Sequence, residues 1–533
     1  MNRKTLALPA IAGLLAPLLA ACGSDTSGAS GSSDIVVGTT DRFASSAQSP
    51  APFDPAYAYD TGVWNVLRQT LQTLTRIPRG GGLPVPDAAS QCQFTDRVSK
   101  SYRCVLREDL VFSDGKPVTA RDVKYSIERV LAIKSDNGAS GLLSNIDTIE
   151  AKGYHEVVFH LKTPDATFPY KLATPVAGIV SSDKYGATEL REGFQVDGSG
   201  PYTMRPHVQG DRLVSVSFTR NPHYKGGVKV RNESVELRTF DNADSMAKAL
   251  TSGDIDMMTR TLEPGQIKEL DTDPQEGVRL TEVPALEIRY LAFNTKAPVV
   301  KEKAVRQAVA ALVDRDRITR DVYGPTAKPL YSLIPSTIAT HSNSFFNKYG
   351  EPSRDKAAAL LREAHVDTPV KLTLHYTTDH YGAATAKEFA ALRDQLNASG
   401  LFDVTVEGAE WSAFRPAQKR GDYAVYGLGW FPDFPDPDNF IAPFLDADNF
   451  LNTPYVNDEA RERLIPASRR EADRAAAAPS FQRLQDIVAE DVPFLPLWQG
   501  KQYVASRDTL TGVEWALNTS SDLQLWELGR GNA

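Results

Sequence analysis

Two spacings of apolar residues alternate along the chain. Ile35-Val36-Val37-Gly38 is a short apolar strand. Thr119 can cap a helix, with Asp122 three residues on as an acidic variant of the capping box. Val123, Ile127, Val130 and Leu131 then share one helical face. Asn242 can cap a second helix through Met246 and Leu250, with Gly253 placed as its stop. Asp254-Ile255-Asp256-Met257 alternates as a strand does. Val305, Val309, Leu312 and Val313 mark a third helix, and Ser353 starts a fourth through Leu360 and Leu361. Phe389, Leu392 and Leu396 mark a fifth, ended near Gly400 and followed by a strand from Phe402 to Val406. Strands interleaved with helices predict an α/β protein. No short-period repeat is present, and Gly80-Gly81-Gly82 with Pro84 and Pro86 marks an exposed loop.

The N-terminus follows another pattern. Arg3 and Lys4 precede an apolar stretch from Leu6 to Leu19, closed by Ala20-Ala21-Cys22. That is a secretory signal, too short for a comfortable membrane span. Its end resembles a bacterial lipobox, which implies cleavage after residue 21 and lipidation of Cys22. A plain signal peptide with an incidental cysteine is the alternative. Residues 22–33 hold no large apolar side chain and form a flexible tether, spanning about 18 Å by random-coil scaling.

The length of 533 residues suggests two to four domains. The net charge of -8 argues against nucleic acid as a partner, since phosphate binding needs a basic patch. Of the three cysteines, Cys92 and Cys104 remain once Cys22 is lipidated. They flank a stretch that reads as a hairpin, Phe94, a polar turn, then Tyr102, in an oxidising compartment, which predicts a disulfide; two free thiols are the alternative.

Catalytic patterns are missing or misplaced. G-x-S-x-G, the phosphate-binding glycine loop and H-E-x-x-H do not occur. Ser181-Ser182-Asp183-Lys184 and Ser135-Asp136-Asn137 evoke serine β-lactam enzymes, but their order is reversed and Lys162-Thr163 is followed by Pro164. Ser353-Arg354-Asp355-Lys356 repeats the first pattern, which shows how little it specifies. The chain reads as a non-enzyme without a cofactor. His155 and His160, and likewise His375 and His380, stand five apart, on opposite faces of a strand, and read as surface or structural groups with no metal site.

The densest unusual segment is Gly429 to Phe440, Gly-Trp-Phe-Pro-Asp-Phe-Pro-Asp-Pro-Asp-Asn-Phe. Its three prolines forbid regular structure, and Trp430 and Phe431 share a rigid loop with Asp433, Asp436 and Asp438. An aromatic wall beside a carboxylate suits a cationic ligand such as an amine. A calcium loop is a rival reading, but the D-x-[DN]-x-[DN]-G pattern is absent; an ordinary proline turn with solvated acids is the plainer one.

Several segments resemble a known family, the large extracytoplasmic solute-binding proteins of peptide and nickel ABC importers (family 5). They are Leu106 to Val123, Gly198 to Tyr202, Arg220 to Tyr224, Tyr290 to Thr295, Val305 to Ala308 with Asp314-Arg315, and the loop from Trp430. The resemblance implies a two-lobed periplasmic-binding-protein-like α/β fold of type II, of the large cluster, with a hinge and an extra subdomain. It implies a discontinuous lobe I at 34–75, 189–290 and 496–533, a subdomain at 76–188, a lobe II at 291–495, and crossovers near Asn294 and Trp498.

The resemblance further implies a substrate-binding lipoprotein on the outer face of the cell membrane. It would capture peptides between the lobes as a monomer and deliver them to an ABC permease and ATPase complex. Asp433 would pair with the peptide amine, with Asp436 as the second candidate. Trp411 and Trp430 would line side-chain pockets, and Thr61-Gly62-Val63-Trp64 would face the ligand backbone, as in strand addition. The same fold binding a metal chelate, opine, sugar or arginine-like compound, or sensing a peptide, is the alternative. Two departures stand out: Gln72-Thr73 replaces the glutamate-glycine pair frequent in the family, and Arg42 to Pro52 looks inserted, which points to an altered cleft rim.

Overall fold

Strand Ile288–Phe293 is buried at every position, which accounts for its nearly unbroken apolar run. It sits inside a six-stranded sheet ordered Ala327–Pro329, Phe494–Gly500, Ile288–Phe293, Val425–Trp430, Val370–Thr377, Phe402–Ala409. A seven-stranded sheet is ordered Val278–Val283, Gln502–Arg507, Met257–Met258, Ile35–Thr39, Ser234–Thr239, Arg212–Arg220, Tyr202–Gln209. A third sheet of four strands runs Ala89–Phe94, Ser101–Leu106, Glu156–Leu161, Ile146–Lys152. The computed structural model describes residues 35–531 except 48, 448 and 450. The signal, Cys22 and the tether lie outside the described residues.

Two large cores follow from these sheets. One gathers side chains between Leu286 and Trp498 around the six-stranded sheet. The other joins Ile35, Val235 and Val504 of the seven-stranded sheet to Tyr102 and Phe159 of the four-stranded one, and reaches Leu528. The second core is thus built from both ends of the chain. Among the described residues, the backbone passes between the two larger sheets only at 284–287 and at Lys501, on the N-terminal side of Asn294 and the C-terminal side of Trp498. The result is a two-lobed α/β fold with two crossings.

The local chemistry explains the helices. Thr119 and Asp122 form a reciprocal capping box on helix Ala120–Ile133, with Thr119 N donating to Asp122 Oδ2 at 2.8 Å. Asn242 caps helix Ala243–Ser252, and Gly253 at φ 83° ends it in the left-handed region. Ser353 caps Arg354–Glu363, and Phe389, Leu392 and Leu396 are the buried face of Ala384–Ala398.

Two expectations change. The strand predicted over Asp254 to Met257 is confined to Met257–Met258. The amides of Asp254 and Ile255 both donate to Ala249 O to close the helix, leaving no ladder for them. The described residues of the segment Arg42 to Pro52 line no part of the cavity that Tyr59, Trp411 and Asp433 share. Ser45 N donates to Asp211 O at 2.8 Å and Leu213 N to Phe43 O at 3.0 Å, so it docks on the hairpin that ends one edge of the seven-stranded sheet. Its backbone finds unpaired edge groups there, which is where an added segment is easily satisfied. Cys92 and Cys104 lie directly opposite each other in the hairpin and are joined by a disulfide.

Candidate functional site

Strand Val425–Trp430 delivers the proline-rich loop to the gap between the lobes. Proline removes donors and fixes φ, so the loop is held by side chains instead of a ladder. Asp433 N donates to Asn439 Oδ1 at 2.8 Å, and Asn439 Nδ2 returns a bond to Asp433 Oδ2 at 3.2 Å. Asp436 Oδ1 accepts from Asp438 N at 2.8 Å. Arg474 grips Asp436 with both arms, at 2.7 and 2.8 Å, and Arg469 Nε reaches Asp438 at 3.1 Å.

The loop forms one wall of a cavity of about 310 Å³. Tyr59, Asp60, Thr61, Trp64 and Arg68 come from one lobe; His380, Tyr381, Trp411, Arg415, Trp430, Phe431 and Asp433 come from the other. A larger groove of about 1,130 Å³ runs past Arg107, Arg220 and Lys229. That groove is an open surface furrow of the first lobe alone. The cavity between the lobes is the candidate site because aromatic rings and a buried carboxylate converge on it from both sides.

Asp433 has neutral hydrogen-bond partners. Asn439 and the Tyr59 hydroxyl, which comes from the opposite lobe, bond to its carboxylate. Burial pushes its pKa up to about 6, against the pull of Asn439, Tyr59 and, at longer range, Lys171. Burial and the Asp433 charge raise the Tyr59 hydroxyl well above its ordinary range. His380 stacks on Trp411, ring centroids 3.9 Å apart and planes 4° from parallel. Burial, then the charge of Arg289, lowers His380 to about 4, so it is neutral near pH 7. Arg289 itself lies 4.0 Å from the Tyr381 ring centroid and is ion-paired with Glu287. On the floor, Arg68 and Asp522 form an ion pair at 2.7 Å.

The residues singled out by sequence separate into groups. Asp433, Trp430, Trp411, Thr61 and Trp64 all line the cavity. Asp436 does not; its side chain is 1% exposed and committed to Arg474. Thr61 to Trp64 form the first turn of helix Thr61–Thr70, capped by Asp60, and are not an extended strip. Gly62 backs onto Asp41, whose Cγ would lie 2.6 Å from a Cβ at that position. Trp64 is 5% exposed and its indole N–H donates to Ala58 O at 3.0 Å. Trp430 is likewise buried, edge-on to Phe444. Sequence reasoning missed Tyr59, Tyr381 and Arg415, and set His380 aside as surface or structural. His380 follows strand Val370–Thr377, in the turn that opens on the cavity, so the strand-face argument did not apply to it.

Comparison with known proteins adds the following. Residues 84–452 match the family model of bacterial extracellular solute-binding proteins, family 5. The chain is 25% identical, over 87% of its length and 90% of the relative's, to the probable D,D-dipeptide-binding periplasmic protein DdpA of Escherichia coli K12. It is 24% identical to the oligopeptide-binding protein OppA of Bacillus subtilis 168, over 93% of this chain and 94% of that one. Among solved structures, the ABC transporter substrate binding protein CtaP of Listeria monocytogenes superposes with a TM-score of 0.78 at 22% identity, covering 93% of this chain and 99% of that one. The Escherichia coli murein tripeptide binding protein MppA gives a TM-score of 0.76 at 21% identity, covering 93% and 98%. These likenesses establish the two-lobed periplasmic-binding-protein fold.

Proposed function

The chain belongs to the bacterial extracellular solute-binding proteins of family 5, and on that premise we propose that it captures peptides by their amine end and hands them to an ABC permease and ATPase complex. One observation carries the reading. Asp433 is a carboxylate in the interlobe cavity whose bonding partners, Asn439 and Tyr59, bring no positive charge. A buried carboxylate held by neutral donors is electrostatically incomplete, and an ammonium group completes it. Trp430 and Phe431 stand beside it, and aromatic faces add cation–π attraction. Arg415 supplies a positive group in the same cavity for the opposite, negative end of a ligand. The relatives named for dipeptides and oligopeptides support peptides over chelates, opines or sugars.

The proposal extends to the whole chain. Lobe I comprises 34–75, 189–290 and 496–533 with a subdomain at 76–188, and lobe II comprises 291–495. The two large cores and the two crossings support that division, with strands Ile288–Phe293 and Phe494–Gly500 straddling its edges. Lipidation of Cys22 holds the protein, as a monomer, at the outer face of the membrane. Calorimetry with a panel of synthetic di- to pentapeptides tests the ligand reading. Free-amine peptides bind the wild type and lose affinity to Asp433→Asn, and N-acetylated peptides bind neither well. Equal affinity for acetylated and free peptides overturns it.

A further inference from the structure

The residue that follows the amine anchor is not buried in its own lobe. Phe434 is 1% exposed and packs with Ile77, Tyr170 and Ala173, a small cluster apart from both lobe cores. Its loop leaves a strand of the six-stranded sheet, whereas the seat belongs to the lobe built from the chain's two ends. The Tyr170 ring stacks on it, centroids 5.6 Å apart and planes 25° from parallel. Around this contact the backbone also bridges the halves. Ala166 N donates to Arg469 O at 2.8 Å, and Ser99 Oγ to Arg470 O at 3.1 Å. Lys171, next to Tyr170 and paired with Asp165 at 2.6 Å, is the cation whose charge reaches Asp433.

We propose that Phe434 is a positioning residue: seated in the Ile77–Tyr170–Ala173 pocket, it fixes Asp433 in the cavity and makes engagement of the amine and closure of the lobes one event. The physical ground is adjacency. Successive Cα atoms are about 3.8 Å apart, so Asp433 cannot keep its place relative to the opposite lobe when the Phe434 ring leaves its seat. Separating the lobes exposes the faces of both rings to water, which favours the closed arrangement by ordinary apolar burial. The ring lies outside the ligand cavity, so it acts on ligand through Asp433 and closure and not by touch. The inference rests on the amine-anchor reading, and the two are separable by experiment.

The test uses the full chain and the tightest binder of the synthetic peptide panel. Stopped-flow binding and small-angle scattering are measured with and without peptide for wild type, Phe434→Leu, Phe434→Ala, Tyr170→Ala and Asp433→Asn. Phe434→Ala is expected to release peptide about ten- to a hundredfold faster with little change in association rate, because related complexes differ mostly in dissociation. It is also expected to compact less on adding peptide. Phe434→Leu restores most of both, since it refills the seat. Tyr170→Ala, made in the other lobe, gives the same phenotype and decides the matter if Phe434→Ala fails to fold. Wild-type dissociation and compaction in Phe434→Ala, or in Tyr170→Ala in that event, overturn the proposal. If those seat variants behave as wild type while Asp433→Asn loses affinity, the anchor stands and the coupling falls. If Asp433→Asn binds as wild type while the seat variants lose compaction, the anchor reading falls and the coupling falls with it, leaving the Phe434 seat only a part in closure.

Discussion

Two arcs of one loop use the same side chain for different ends. In the arc after Trp430, Asp433 meets Asn439 and Tyr59 and lines the cavity. In the arc that follows, Asp436 is locked by Arg474 and Asp438 by Arg469, and both carboxylates are nearly fully buried. The first carboxylate carries a desolvation cost that its neutral partners relieve only in part; the second and third are matched by guanidinium groups in hydrogen-bonding geometry. Burial alone therefore does not distinguish a binding acid from a scaffold acid. The charge of the partner does. The paired acids hold the irregular backbone in place, and the incompletely matched one is the carboxylate that the proposed function assigns to the ligand.

The comparison breaks most visibly at Asp436. Asp436→Ala leaves the Arg474 guanidinium buried without its counter-charge, which costs about 3–5 kcal/mol and lowers the unfolding temperature in calorimetry. An unchanged melting temperature would mean that the second arc is no scaffold. Asp433→Asn comes next. It keeps the shape and removes a charge that burial disfavours, so the unliganded protein melts at the same temperature or higher. Affinity for free-amine peptides drops by about 1.5–3 kcal/mol, the range for a hydrogen bond to a charged group, or about ten- to a hundredfold. Binding calorimetry and differential scanning calorimetry on the two variants should thus give crossed results, one losing stability and the other affinity.

Much of this architecture could be read from the chain, and the exceptions share a cause. Helix caps such as Thr119 with Asp122 and Asn242 with Gly253 are local chemistry, so their sequence spacing carries them into the fold. The Cys92–Cys104 pairing is also local, because a hairpin sets its register within a few residues. The candidate cavity was legible in part: the composition of the loop singled out Trp430 and Asp433, and the resemblance added Trp411, Thr61 and Trp64. Tyr59 reaches Asp433 from a different lobe, and His380 finds Trp411 through the meeting of a turn and a helix start. Nothing in the spacing of those residues records either meeting. Asp433 and Asp436 look alike in sequence because Arg474, which separates their roles, lies 38 positions from Asp436.

A pH titration sharpens the contrast with a smaller effect. Asp433 is raised from the ordinary 3.8 to about 6, so the folded protein holds this proton more tightly than the unfolded chain does. Its contribution to stability is full below the ordinary value and is lost as pH rises through about 6. Ligand binding runs the other way, since the amine needs the carboxylate. Between pH 7 and pH 5 the ionised fraction falls by about tenfold, while a peptide amine of pKa about 8 stays charged. Affinity for free-amine peptides should fall by the same factor, and Asp433→Asn should abolish the dependence. His380, already lowered to about 4, stays largely neutral across this window and does not confuse the result. A pH-independent affinity in the wild type would place the amine away from Asp433.

The least consequential change expected is at Trp411. Its ring is half-buried and stacked on His380 at the start of helix Trp411–Arg420, whereas Trp430 is 6% exposed and wedged against Phe444. Phe414 stacks on the ring as well, at 6.1 Å, and Tyr381 meets it edge-on, so the surface left to the cavity suits a ligand side chain rather than the amine. Trp411→Leu should therefore cost about 0.5–1.5 kcal/mol for peptides with an aromatic residue over that ring, the range for an aromatic pair. It should cost next to nothing for glycine-rich peptides, and the melting temperature should hold. Intrinsic fluorescence and calorimetry on matched phenylalanyl and glycyl peptides read both. A larger loss than in Asp433→Asn, or an equal loss for both peptides, would move the energetic centre of the cavity from the carboxylate to its aromatic rim.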